Sequence, residues 1–164
     1  RLALFFGQLA EIPHVTRVRF HSRLPVVLPS RIDTGFLQVI AAIPQQVVMV
    51  IHANHAQELA ADDVQQALAV LHSAGVILLN QAVLLRGVND SVQAQVELSE
   101  SLFAQRVLPY YLHVLDRVAG AAHFEVPDVE AVHLLDAVRQ RLPGFLVPKL
   151  VREIAGEPAK TPVI

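Results

Sequence analysis

"GVILLNQAVLLRGVND", residues Gly75 to Asp90, runs from a short apolar stretch into two adjacent amides, a second apolar stretch and an Arg-Gly-Val-Asn-Asp turn. A short, continuous apolar run is how a strand reads when it is covered on both faces, as in a parallel sheet. The amides at its mouth are then either a turn cap or a ligand contact. Which of the two they are depends on what the rest of the chain places beside them.

Four more runs have strand character: "RVRF" from Arg17, "QVVMVI" from Gln46, "PYYLHVL" from Pro109 and "FLVPKLV" from Phe145. All five starts are about thirty residues apart, the length of one βαβ unit. The intervening segments "DTGFLQVIAAI", "ADDVQQALAVLHSAG", "NDSVQAQVELSESLFAQ" and "VPDVEAVHLLDAVRQRL" carry helical period. Start signals precede several of them, at Asp62-Asp63, Asn89-Asp90 and Pro127-Asp128.

Alternating strand and helix with apolar strands is an α/β chain with a parallel sheet, and a doubly wound sheet and a (β/α) barrel both satisfy that pattern. The polar residues lean toward the barrel. His21, Ser22 and Arg23 follow the first run; His52, Asn54 and His55 the second; Asn80 and Gln81 the third; Asp116 the fourth; Arg152 and Glu153 the fifth. Five successive strands ending in ligand-capable side chains suit a barrel rim, where βα loops meet. A complete barrel takes about 250 residues. The 164 residues therefore predict one partial barrel spanning 1–164, with open strand edges prone to aggregation or to completion by other chain segments.

Composition narrows the function. With 53% hydrophobic and 17% charged residues and a mean hydropathy of +0.44, the chain can bury a large core. Polar residues interrupt every apolar run before the ~20 residues that a membrane helix needs, so a soluble, cytoplasmic protein without membrane contact is expected. A net charge of -2 gives no basic footprint for nucleic acid. The absence of Cys excludes disulfides and iron–sulfur ligation by these residues. "RLALFFGQLAEIPH" reads as an amphipathic helix in mid-stride without an initiator Met, which suggests part of a longer polypeptide.

Candidate chemistry is sparse. His52 and His55 in "HANH" have a spacing that serves a metal on a helix, but past a strand it loses that meaning and no third ligand accompanies them. His14, His72 and His133 read as surface or core residues. Lysine occurs only as Lys149, near the end of an apolar strand and read as a wet surface stem, and as Lys160 in the Pro-bounded "GEPAKTP". Lys160 is either a solvated tail lysine or a mounting for a Schiff base. Asp116 and Glu153 either converge on one cationic ligand group or pair with Arg117 and Arg152.

"RVRFHSRLPVVLPSRI", "HANHAQEL", "AGVILLNQAVLLRGVND", "LPYYLHVLDRVAGAAHF" and "GEPAKTPV" resemble, in order and spacing, the C-terminal part of the lysine 2,3-aminomutase family. These are radical S-adenosylmethionine (SAM) enzymes that also use pyridoxal 5′-phosphate. "HVLD", "GAAHF" and "GEPAK" are most similar to the branch that makes (R)-β-lysine for modification of elongation factor P. Free-lysine aminomutases carry a glycine run where Glu157-Pro158-Ala159 stands here.

The resemblance implies a barrel of the radical SAM type and a [4Fe–4S] cluster held by a CxxxCxxC motif N-terminal to Arg1, without which these residues alone do not cleave SAM. It implies that His52, Asn80 and Gln81 hold SAM, that Asp116 binds an ammonium of L-lysine, and that Lys160 holds pyridoxal phosphate through its amine. Glu153 falls where the free-lysine enzymes have a second substrate aspartate, one methylene shorter. A radical drawn from SAM would take hydrogen from the substrate before its nitrogen migrates. Homo-oligomers are expected. The other readings are a different amino-acid 2,3-aminomutase or a non-catalytic barrel module.

Overall fold

In the computed structural model, which describes residues 1–116 and 118–164, helices and parallel strands alternate along the chain. Strands β1 (Arg17–Ser22), β2 (Gln46–Ile51), β3 (Ile77–Val83), β4 (Val107–His113) and β5 (Lys149–Arg152) lie side by side in that order. A two-residue strand, β6 (Thr161–Pro162), pairs antiparallel with β5 at the far edge. The helices are α1 (Leu2–Ala10), α2 (Leu24–Val27), α3 (Thr34–Ala41), α4 (Asp62–Ser73), α5 (Val92–Ala104) and α6 (Asp128–Arg139).

A doubly wound sheet reverses its strand order at a switch point. Here the order of the parallel strands never reverses, so successive crossovers progress in one direction, as in an incomplete (β/α) barrel. Among the described residues nothing pairs with the outer edge of β1. Along β3, Leu78, Asn80 and Ala82 are buried, while Ile77, Leu79, Gln81 and Val83 on the opposite face are less covered. The two-residue period thus sorts core from site within one strand. The core joins Met49, Ile51, Leu68, Leu71, Leu112 and Leu135, all at most 2% exposed, and truncating any one to Ala removes roughly 2–5 kcal/mol.

Several boundaries differ from the sequence reading. β3 does not stop before the amides: it runs through Asn80 and Gln81. An amide can sit in a buried strand when its side chain is satisfied, and Asn80 is, because its Nδ2 donates to Ala53 O (3.0 Å) and its Oδ1 accepts from Ala53 N (2.8 Å). β5 begins at Lys149, placing that lysine at the strand's start, while residues 144–146 form a 3₁₀ turn between Pro143 and Pro148. β6 was not foreseen, and Lys160 precedes it rather than trailing a final strand.

The start of α5 also moves. Ser91 is its cap, accepting from Ala94 N at 3.2 Å. Asp90 instead accepts from Gly87 N (2.9 Å), closing a turn in which Gly87 has φ +73°. Asn89 is fully buried: it donates to Asn54 O (2.8 Å) and Val83 O (2.9 Å) and accepts from Leu85 N (2.8 Å). Gln95, also buried, donates to Asn89 O at 2.7 Å. Residues read as a helix start thus tie the loop after β2 to the turn after β3.

Replacing Asn89 with Ala removes three of these bonds and strands their backbone partners. The expected loss of stability is roughly 2–4 kcal/mol, read as a lower urea midpoint, whereas Gln93→Ala on the exposed face of α5 changes the midpoint little.

Candidate functional site

The carboxyl ends of β1 to β5 border a cavity of ≈ 390 Å³, within the range of small-molecule sites. Arg23 comes from β1's loop, His52 and Asn54 from β2's, Gln81 and Val83 from β3, His113 and Asp116 from β4 and its loop, and Glu153 from the end of β5. Gln81 Nε2 lies 3.0 Å from His52 Nε2. An amide nitrogen only donates, so this contact makes Nε2 an acceptor and places the imidazole proton on Nδ1.

Two buried atoms at this cavity, Gln81 Oε1 and His113 Nε2, have no hydrogen-bond partner. Buried polar atoms are normally satisfied, so the pair marks where a polar ligand would bind. Arg23 is held at the rim by Glu58 (3.0 Å), whose other oxygen accepts from Asn54 N (2.6 Å) and His55 N (3.0 Å).

Three histidines stay neutral here. Burial lowers His52, with His21 and the Arg23 guanidinium adding to it. Burial also lowers His21, helped by Arg19 and Lys160. Burial again is the largest cause at His113, where Lys160 pushes the same way and Glu153 and Asp116 oppose it. Imidazoles hemmed in by cations give up their protons and remain as neutral donors and acceptors.

A second cavity of ≈ 520 Å³ adjoins the first and shares Gln81 and Glu153 with it. Lys160, Arg19, His21, Tyr110 and Tyr111 complete its principal walls. Both tyrosines reach it because of a bulge. Asn80 pairs with Pro109 and Gln81 with Tyr111, so Tyr110 is the extra residue. Consecutive strand residues normally point to opposite faces; here the two rings lie 3.8 Å apart and Tyr110 Oη donates to Tyr111 Oη at 3.0 Å. Lys160 Nζ is 5.9 Å from the Tyr111 ring centre and 2.6 Å from Glu153 Oε2.

The structure thus brings together His52, Gln81, Asp116 and Glu153 around one cavity, with Lys160 in the next. Asn80 stays outside the first: it is 2% exposed and its amide is spent on Ala53. The expected Glu153–Arg152 pairing is replaced, since Arg152 holds Asp128 by two bonds (2.7 and 3.0 Å). Arg117 lies outside the described residues. His55 caps the 3₁₀ turn 56–59 by accepting from Gln57 N (3.2 Å), and no group of three or more His, Cys, Asp or Glu residues able to hold a metal occurs among the described residues.

His113 and the tyrosine pair were not singled out from the sequence. The alternation of Tyr111 and His113 in "PYYLH" carried the signal for the histidine, and Pro109 inside a strand hinted at the bulge.

No family model matches the sequence. The chain is 51% identical over 156 residues to the L-lysine 2,3-aminomutase of Escherichia coli, covering 95% of this chain and 45% of the relative. It is 48% identical over 161 residues to that of Haemophilus influenzae, covering 98% and 47%. The resemblance to the lysine 2,3-aminomutases is borne out.

The chain spans about half the length of the curated relatives it matches. With the Clostridium subterminale L-lysine 2,3-aminomutase, identity is 39% over 163 residues, covering 99% of this chain and 39% of the relative. A radical SAM methyltransferase structure from Sphaerobacter thermophilus has a similar fold, with a TM-score of 0.53 at 17% identity over 72% of this chain and 37% of that one.

The histidines give this site a pH signature. Their folded values lie below the ordinary 6.5, so below 6.5 the unfolded chain binds protons that the folded chain refuses. Stability contributed by the neutral rings is complete above that value and falls as pH drops toward the lowered folded values. Melting temperature should decline between pH 7.5 and 5.5, and a His52→Gln variant should show a shallower decline.

Proposed function

We propose that this chain is the C-terminal barrel part, residues 1–164 as one domain, of a radical SAM aminomutase that converts (S)-α-lysine to (R)-β-lysine for modification of elongation factor P. The observation that carries the reading is similarity, over nearly all of this chain and about half of each relative, to proteins named L-lysine 2,3-aminomutase, on a fold that gathers most of the residues that the resemblance singles out around two adjoining cavities. The elongation factor P branch is supported by "HVLD", "GAAHF" and "GEPAK" in place of a glycine run.

Residues suited to each cofactor can be named. The unpaired Gln81 Oε1 beside His52 suits SAM, with Asn80 acting behind them by fixing the Ala53 backbone. Lys160, with Arg19 and the adjacent tyrosines in one cavity, suits pyridoxal phosphate, a flat anionic aldehyde. A [4Fe–4S] cluster would need ligands from outside these residues, which contain no Cys. When bound, these groups supply a hydrogen-abstracting radical and a conjugated ring that supports migration of nitrogen.

This chain's own task is positioning. Asp116 and Glu153 border the cavity as carboxylates and anchor the distal ammonium of L-lysine, which fixes the reacting carbons. Neutral histidines keep polar contacts available without adding cations that would repel the substrate. No helix among the described residues is long and apolar enough to cross a membrane, and a cytoplasmic, homo-oligomeric enzyme is the form we propose.

The full-length protein should convert L-lysine, and lysine binding tests the assignment of Asp116. A hydrogen bond to a charged group is worth roughly 1.5–3 kcal/mol, so Asp116→Asn should weaken lysine affinity about tenfold or more by calorimetry while pyridoxal phosphate loading is unchanged. Equal affinity in both proteins removes Asp116 from the site, and turnover of another amino acid in preference to lysine rejects the lysine assignment.

A further inference from the structure

Glu153 stands between the two cavities and belongs to both. Its place is set by hairpin register. Val151 pairs with Pro162 and Arg152 with Thr161, so the next position across the hairpin sets Glu153 against Lys160. Directly opposed cross-strand charges interact most closely, and the contact is 2.6 Å. The connecting loop 154–159 turns through Gly156 at φ +90°, a conformation side chains resist. Arg152 cannot serve as the partner of Glu153, because both bonds it makes go to Asp128.

The remaining neighbours do not replace Glu153. His21 and His113 are neutral rings, and Arg19 in the same cavity repels an ammonium. Tyr111 offers its ring face at 5.9 Å, and Glu157 lines the cavity from Lys160's own loop. Glu153 is 66% exposed against 23% for Lys160, so the carboxylate has room to swing away while the lysine stays in the cavity. Lys160 also holds the Glu153 carboxyl below the usual carboxylate range.

We propose that Glu153 is a positioning residue shared between the two cavities: it pairs with the Lys160 side-chain nitrogen in the cofactor-free protein and must release it before Lys160 takes an aldehyde, after which the carboxylate is free to face a ligand cation beside Asp116. This rests on the reading of Lys160 as the pyridoxal phosphate lysine. In the capture step the ammonium loses a proton, its nitrogen forms a bond to the aldehyde carbon, and the carbonyl oxygen leaves as water. No oxidant or reductant takes part. A charge-assisted bond to the ammonium opposes the first of these events.

The test uses the full-length protein freed of cofactor and then exposed to pyridoxal 5′-phosphate at one fixed pH. Samples are reduced with borohydride at intervals and digested to locate the pyridoxyl mass. Glu153→Gln should label the Lys160 peptide about two- to fivefold faster than wild type, the scale expected for an exposed ion pair. Glu130→Gln, which breaks an exposed pair with Arg86, should match wild type. A purely structural role for Glu153 predicts the opposite sign, because disorder at the hairpin slows capture. Equal or slower labelling in Glu153→Gln overturns the proposal. Label on a different lysine in wild type overturns the reading of Lys160 and this inference with it.

Discussion

The reciprocal pair of hydrogen bonds between the Asn80 side chain and the backbone of Ala53 is the constraint from which the site follows. It lets a polar residue occupy the middle of a buried strand, and it fixes where β2's chain turns away from the sheet. His52 and Asn54 flank Ala53, and Gln81 follows Asn80, so one amide sets the mutual position of the residues that line the cavity. Asn54 extends the lock by accepting from Val83 N at 2.9 Å, and the buried Asn89 closes it from below. An amide suits this work because it donates and accepts at once and brings no charge into the core.

Charge is distributed around that frame by strand. The β1 side supplies Arg19 and Arg23; the loop after β4 and the end of β5 supply Asp116 and Glu153; neutral histidines stand between. Such a division would suit a ligand carrying both signs of charge without leaving a buried ion uncompensated. Most ion pairs observed here are solvent-exposed, including Arg86–Glu130 and Arg152–Asp128, and contribute little to stability. Their value is in geometry: Arg152 is occupied by Asp128, which leaves Glu153 to Lys160.

The sequence by itself determined the α/β class, the five parallel strands and the strand ends at which ligand-capable side chains gather, because apolar runs and helical period are local properties. It also carried the family resemblance, since ordered motifs survive without knowledge of their contacts. Tertiary structure decided the rest. The amides proved to be strand residues because their partners lie about thirty residues away in sequence, in the loop that follows the preceding strand. The tyrosines share a face because a bulge depends on pairing with β3. Lys160 meets Glu153 because β6 turns back onto β5. Each is set by register between strands, and register is a long-range property that no short stretch of sequence encodes alone.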